Sequence, residues 1–319
     1  MYVGRLAPSP TGALHLGNVR TFMIAWLRAR KSGGKVVFRL EDLDHPRDKP
    51  GAGLQAVEDL RWLGFDWDEE YVQSERIGRY RSAVEKLVSR SAHDGGPLLY
   101  PCVCSRRDVE FAQSAPHVGD QLFYPGTCRG RFASWDEAVS WRQANVPGSV
   151  SPPCWRFRVP ADATIAFDDI FAGRFRQDVS NTLGDFPVAR HADGAGYTLA
   201  VVVDDAEMGV TEVVRGDDLL AATPAQILLQ RVLGLPTPAY CHVPLVVGPD
   251  GRRLAKRHGD TRVASFRAAG VKPERIIGSL AWTCGWCRQD ESVSLEDLIP
   301  RFDLASVPRQ PVAVPPDLN

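Results

Sequence analysis

The sequence predicts an α/β fold. Three observations carry that prediction: a strand–loop–helix–strand opening, helical patterns that complete a first α/β block, and a return of long apolar runs after residue 190. Tyr2 to Leu6 reads as a first strand. A loop rich in proline and glycine, APSPTGALHLG, then runs into a helix over Val19 to Lys31, where Val19, Phe22, Met23 and Trp26 recur at helical spacing. Gly33 and Gly34 stop that helix, and KVVFRLED reads as a buried strand ending in carboxylates, which makes the opening the start of a βαβ unit.

Further helices are expected at Leu54 to Leu63 and Glu75 to Ser91, and Gly95-Gly96-Pro97 closes the block. Residues 1–97 are therefore the first half of a core. Residues 98–190 carry four cysteines, several prolines and short strand-like runs such as CWRFRV, and read as an insertion. Residues 191–262 form the second half: YTLAVVVDD reads as a buried strand, Thr223-Pro224 as a capping hydroxyl and proline opening a helix to Leu233, and VPLVVGPDGRRLAKR as strand, turn and basic loop. Residues 263–319 read as a short helical C-terminal region whose proline-rich last twenty residues are expected to pack poorly.

Composition bounds the function. With 44% hydrophobic and 24% charged residues in 319, the chain has the make-up of a globular protein with a sizeable core. It opens without the basic start and apolar run of a secretory signal, and no apolar stretch reaches membrane-spanning length, so a cytoplasmic protein without a membrane partner is expected. A net charge of −1 means that a nucleic acid would be held by local basic patches, not by the overall field. Seven cysteines in a chain without an export signal point away from a disulfide framework, toward metal ligation or burial.

The first loop joins a strand to a helix N-terminus, where free backbone N–H groups and the helix dipole favour phosphate. It contains neither the dinucleotide nor the P-loop glycine pattern. Instead it holds Arg5, Ala7-Pro8-Ser9-Pro10-Thr11-Gly12 and His15-Leu16-Gly17-Asn18, a run that resembles the HIGH signature of class I aminoacyl-tRNA synthetases in its glutamyl/glutaminyl form. Late in the chain, Arg253-Leu254-Ala255-Lys256-Arg257-His258-Gly259 resembles the KMSKS loop of the same branch, with arginine in place of the first lysine and alanine in place of the serine. The loss of that hydroxyl at Ala255 bears on the speed of activation.

The resemblance covers residues 2 to 285 and implies a Rossmann-type class I synthetase catalytic core that forms an acyl-adenylate from an amino acid and ATP, with Mg2+ accompanying the nucleotide. It implies that His15, Gly17 and Lys256 bind ATP and serve the chemistry, Lys256 neutralising charge on the departing pyrophosphate. It also implies that Arg5, Leu6, Ala7, Pro8, Ser9, Glu41, Tyr197 and Arg215 bind L-glutamate. An amino acid with an acidic side chain brings two carboxylates and one ammonium, and these residues supply cations and a carboxylate to meet them.

Cys102, Cys104 and Cys128, with Tyr124 between them, form a cluster that points to a tetrahedral zinc ion, one per chain, clipping the insertion. Residue chemistry leaves the fourth ligand open between Tyr124 and His117. The spacing resembles that of the short glutamyl-queuosine tRNA(Asp) synthetases, and this resemblance implies Tyr124. Cys284-Gly285-Trp286-Cys287, Cys154 and Cys241 read as packing residues. The chain ends at Asn319, sixty residues after Gly259, so no anticodon-binding domain is expected, and a monomer is.

The resemblance thus implies tRNA-independent activation of glutamate and its transfer to queuosine at the wobble position of tRNA(Asp), with Arg106, Arg107, Arg252 and Arg257 available to RNA phosphates. Three alternatives stay open at this point: a truncated glutamyl-tRNA synthetase charging tRNA(Glu), a non-catalytic glutamate or nucleotide sensor, and a ligase acting on a small-molecule or carrier acceptor.

Overall fold

The computed structural model describes residues 1–10, 12–43, 49–92, 94–105, 107–109, 123–146, 152–190, 194–248, 250–251, 254, 260–315 and 318. Its centre is a parallel sheet. Strand β1 (Val3–Leu6) leads through α1 (Leu16–Lys31) to β2 (Lys35–Leu40), and α2 (Ala52–Trp62) leads to β3 (Glu69–Val72). β2 pairs in parallel with both β1 and β3. On the other side of β1 lie β9 (Glu212–Gly216) and its parallel partner β10 (Ala239–Val243), and Thr211 N–H donates to Val3 O at 2.9 Å. The order β3-β2-β1-β9-β10 is that of a doubly wound sheet whose direction of winding reverses between β1 and β9.

Two apolar clusters flank this sheet, as a parallel sheet covered on both faces requires. Val36 and Phe38 point with Met23, Leu27 and Leu280 into one cluster. Val37, between them, points with Tyr80, Leu199 and Leu229 into the other. Helix α3 (Ile77–Val88) serves the second face together with α6 (Tyr197–Glu207) and α7 (Thr223–Leu233). Glu212, on the sheet beside the first cluster, is held by Arg28 Nη2 at 2.9 Å and by the Tyr2 hydroxyl at 3.0 Å, which fixes α1 to β9.

The segment YTLAVVVDD is helical, not a strand. Leu199 to Val203 are all buried, so no exposed face marks the helical period, and an uninterrupted apolar run has the same appearance in a buried strand. Thr223 does begin its helix, but as the first helical residue and not the cap; its hydroxyl donates to Leu219 O at 3.2 Å.

Within the insertion, β4 (Leu99–Cys102), β5 (Cys154–Phe157) and β8 (Phe186–Ala189) form an antiparallel sheet, and β6 (Thr164–Asp169) and β7 (Gly173–Asp178) form a hairpin. Helix α4 (Trp135–Asn145) and the cysteines share a small core with Tyr100, Val103 and Phe132. The rest of the insertion is less separate than its composition predicts. Phe157, Ile165, Phe186 and Val188 join the second cluster of the main core, and Ile170 N–H donates to Tyr240 O on β10 at 2.8 Å.

The described part of the last twenty residues, expected to pack poorly, is pinned. β12 (Val312–Ala313) pairs in parallel with β11 (Val246–Val247), and Val307, Val314 and Leu318 enter the first cluster. Prolines on either side hold an extended backbone without removing the donors of Val312 and Val314, which reach Leu245 O and Val247 O. Among the described residues no helix is long and apolar enough to cross a membrane.

Helix α9 (Pro273–Trp282) closes the first cluster and meets a following loop at Gly278, where a Cβ would lie 1.9 Å from Glu291 O. That atom is backbone, and Val293 N–H bound to Glu274 O at 3.1 Å holds its loop in place. Gly278→Ala is therefore expected to destabilise the fold by about 3 kcal/mol through overpacking, read as a fall of several degrees in the thermal midpoint. An unchanged midpoint would show that the loop yields freely.

Candidate functional site

The reversal point between β1 and β9 opens a cleft of about 620 Å3 at the carboxyl ends of the strands. Arg5, Ala7, Pro8, Ser9, His15, Gly17, Glu41, Tyr197 and Arg215, separated by up to 210 positions in sequence, all line it. Leu6 does not; its side chain is fully buried in the first apolar cluster. Thr11, Asp44, Arg106, His117, Arg252, Arg253, Ala255, Lys256, Arg257, His258 and Gly259 lie outside the described residues.

One end of the cleft is built on the start of α1. His15 precedes the helix in an extended conformation, its N–H directed at Asn18 Oδ1 at 3.4 Å and its O accepting from Asn18 and Val19 N–H. A Cβ on Gly17 would lie 3.2 Å from the His15 ring. Glycine there leaves room for the imidazole beside the first turn, where any Cβ would press on the ring. The preceding loop is tied to β2, since Glu41 N–H donates to Pro8 O at 2.9 Å.

The other end of the cleft carries buried charge. Arg5 Nη1 donates to Val214 O at 2.7 Å, across the reversal point, while its Nε lies 4.0 Å from Asp205 and finds no acceptor among the described residues. Burial pulls the Arg5 guanidinium below the ordinary arginine range, against the pull of Asp205. Glu41 accepts from Arg39 Nη2 at 3.0 Å and Nε at 3.3 Å, both on Oε1. Oε2 receives no hydrogen bond among the described residues. Burial raises the Glu41 carboxyl above the usual range, with Arg39 opposing. Arg39 is itself fully buried and donates to Asp205 at 2.6 Å, so one guanidinium orients both carboxylates beside the cleft. Asp204, next in line, is satisfied by Gln73, Arg76 and Tyr80 at 2.7 to 2.8 Å.

Arg215 on β9 differs from its neighbours. Its Nε donates to His242 Nε2 at 3.0 Å, and its Nη2 to Thr223 Oγ1 and Gln226 Oε1, each at 2.8 Å. All three acceptors are neutral, and no carboxylate lies within ion-pair distance among the described residues. Nη1 has no partner there and the residue lines the cleft at 6% exposure. A cation desolvated in this way calls for an anionic ligand. Tyr197, at the first turn of α6, is 41% exposed and borders the same space.

Sequence reasoning missed Arg39, Asp205, Thr223, Gln226 and His242. The one legible signal was a charged or polar residue inside a buried strand, as with Arg39 in KVVFRL and His242 in AYCHV.

In the insertion, the sulfurs of Cys102, Cys104 and Cys128 lie within 4.8 Å of one another. Cys104 and Cys128 are 3.6 Å apart, and the Tyr124 hydroxyl is 3.3 Å from Cys102 Sγ and 3.7 Å from Cys104 Sγ. These separations suit edges of a tetrahedron around an ion with bonds of about 2.0–2.3 Å, and they include the phenol oxygen. Cys128 N–H donates to that oxygen at 2.9 Å, as suits an anionic ligand. Hydrogen bonds from Cys104 and Cys128 hold the Cys102 thiol well below the ordinary range, and Arg156 adds to this from 3.2 Å. Cys284 and Cys241 are buried packing residues, as expected. Cys154 is half-buried and pairs across the sheet with Cys102, so it borders the cluster and not the main core.

Residues 2–314 match the model of the family described as tRNA synthetases class I (E and Q), catalytic domain. A glutamyl-Q tRNA(Asp) synthetase of Symbiobacterium thermophilum is 50% identical over 329 residues, covering 99% of this chain and 96% of that protein. One of Rhodopirellula baltica is 44% identical, covering 98% and 96%. The solved structure of a glutamate tRNA ligase from Elizabethkingia meningosepticum, in complex with its amino acid, superposes with a TM-score of 0.79 at 28% identity, covering 99% of this chain and 68% of that one. With its sheet order, its cleft and these similarities in agreement, the chain belongs to the class I tRNA synthetases of the E and Q group.

Proposed function

We propose that the chain activates L-glutamate with ATP, without tRNA, and transfers the glutamyl group to queuosine at the wobble position of tRNA(Asp). The observation that carries the reading is the charge balance of the cleft. Among the described residues Arg215 offers Nη1 with only neutral partners behind it, Arg5 offers a buried guanidinium, and Glu41 keeps one oxygen unbonded. Two carboxylates and one ammonium complete that set, and glutamate carries them. End-to-end similarity to proteins named glutamyl-Q tRNA(Asp) synthetase supports the acceptor. Glutamate–tRNA ligases of Coxiella burnetii are less similar, at 39% identity, so charging of tRNA(Glu) is the less favoured reading.

An α-carboxylate oxygen of glutamate attacks the α-phosphorus of ATP, the bond to the bridging oxygen breaks, and pyrophosphate leaves. His15 and Gly17 seat the nucleotide, Lys256 offsets charge on the leaving group, and Mg2+ accompanies the phosphates. Glu41 takes the ammonium, Tyr197 covers the substrate, and Ala7 to Ser9 wall one side with Leu6 beneath. A hydroxyl of the queuosine cis-diol then attacks the glutamyl carbonyl and AMP departs, leaving an ester. Arg107, with Arg106, Arg252 and Arg257, is available to the phosphates of the anticodon loop. The reaction belongs in the cytoplasm with its tRNA, and a monomer suffices for it.

Cys102, Cys104, Tyr124 and Cys128 hold one zinc ion in this reading, which supplies a structural clip and no step of the reaction. The Arg156 guanidinium, 3.7 Å from the Tyr124 ring centre, offsets the negative charge of such a ligand set. Metal analysis is expected to find about one zinc per chain, and none in Cys128→Ser; a metal-free wild-type protein of full stability would contradict the clip.

The activity itself is tested in two stages. Glutamate-dependent ATP–pyrophosphate exchange without tRNA is expected, falling by roughly two orders of magnitude in Lys256→Ala. Labelled glutamate should then pass to tRNA(Asp) carrying queuosine and not to the same tRNA lacking it. Label on the 3′ end of tRNA(Glu) would make the chain a tRNA-charging enzyme instead.

A further inference from the structure

Asp169 closes β6 in the insertion, yet its carboxylate belongs to the catalytic core. It accepts from His242 Nδ1 at 2.6 Å and from His242 N–H at 3.1 Å. Its Oδ1 also accepts from Phe171 and Ala172 N–H at 3.0 and 2.7 Å. Both oxygens therefore face donors, and the pair is fully buried at the side-chain level. The opposite nitrogen of the same imidazole, Nε2, receives the Arg215 Nε–H at 3.0 Å.

These contacts fix the histidine's proton. Arginine has only donors, so Nε2 must be the acceptor and Nδ1 must carry the hydrogen, which it gives to Asp169. Burial also lowers the affinity of His242 for a second proton, which keeps Nε2 available. Thr223 and Gln226 reach Arg215 from α7 at Nη2, and the Thr223 hydroxyl also lies 3.1 Å from His242 Nε2, so among the described residues the imidazole alone meets the guanidinium at Nε.

We infer that Asp169 and His242 are positioning residues for substrate recognition: Asp169 sets the imidazole tautomer, and the imidazole aims Arg215 Nη1 at a carboxylate of the amino-acid substrate. The inference rests on the glutamate reading of the cleft and extends it to a residue of the inserted hairpin, outside the cleft. It also gives the hairpin's anchorage at Ile170–Tyr240 a role in specificity.

Asp169→Asn separates tautomer control from bulk. Every face of that carboxylate meets a donor, so an amide nitrogen placed toward Nδ1 inverts the tautomer and sets Nε2–H against Arg215 Nε–H. In wild-type exchange assays as baseline, Asp169→Asn is expected to raise the glutamate KM roughly ten- to a hundredfold, the scale of a hydrogen bond to a charged group, with the ATP KM within about twofold. His242→Gln, whose amide oxygen stands at the Nε2 position, should recover most of the glutamate affinity. His242→Asn, whose amide stands at the Nδ1 position and leaves Arg215 without its acceptor, should not. This second pair decides the matter should Asp169→Asn fail to fold.

Equal changes in the glutamate and ATP constants, or an unchanged glutamate KM in His242→Asn, would overturn the positioning role while leaving glutamate activation intact. A wild-type protein whose exchange is driven by another amino acid and not by glutamate would overturn both.

Discussion

Burying arginine beside the carboxyl ends of a parallel sheet is the constraint from which the rest of this site follows. Arg5, Arg39 and Arg215 sit on three neighbouring strands at 8%, 0% and 6% exposure. A desolvated guanidinium persists only where its hydrogen bonds are filled and its charge is met. Arg39 has both, through Glu41 and Asp205. Arg5 shares Asp205 at a longer distance, and among the described residues Arg215 has hydrogen bonds without a counter-charge. The gradient from fully paired to uncompensated runs toward the cleft, which in the proposed function receives an acidic substrate.

This constraint explains why distant segments converge. Helix α6 ends in Asp204 and Asp205, which fix Arg76, Tyr80 and Arg39. The hairpin β6–β7 delivers Asp169 to His242, and α7 delivers Thr223 and Gln226 to Arg215. The insertion consequently has two parts. The cysteine cluster keeps a small core of its own, whereas the hairpin is built into the catalytic half of the molecule. The C-terminal segment acts similarly on the opposite flank, where β12 braces β11 beside Leu245 and Val246 of the cleft wall.

Much of this was legible in the sequence, in a pattern that physical chemistry accounts for. The loop before α1 could be placed in the cleft because close packing within a short run demands particular residues, as Gly17 against the His15 ring illustrates. The cysteine cluster was legible for the same reason, including the phenol at Tyr124. Helix α6 was not: burial on all sides removes the polar face that distinguishes a helical period from a strand. The support of Arg215 was hidden for another reason. His242 and Asp169 lie 73 positions apart, and a lone polar residue in an apolar strand says that a partner exists without saying which. The tail was misjudged because its prolines outweighed Val307, Val312, Val314 and Leu318 in the reading, although those side chains carry the packing.

The central claim is that the cleft's buried arginines, Arg215 above all, select a substrate with an anionic side chain. Equilibrium binding of two non-hydrolysable aminoacyl-adenylate analogues, one glutamyl and one glutaminyl, tests this without any acceptor. Replacing a carboxylate by an amide leaves a buried arginine without its counter-charge, so the glutaminyl analogue is expected to bind at least about a hundredfold more weakly. Equal affinity for the two analogues would contradict the account.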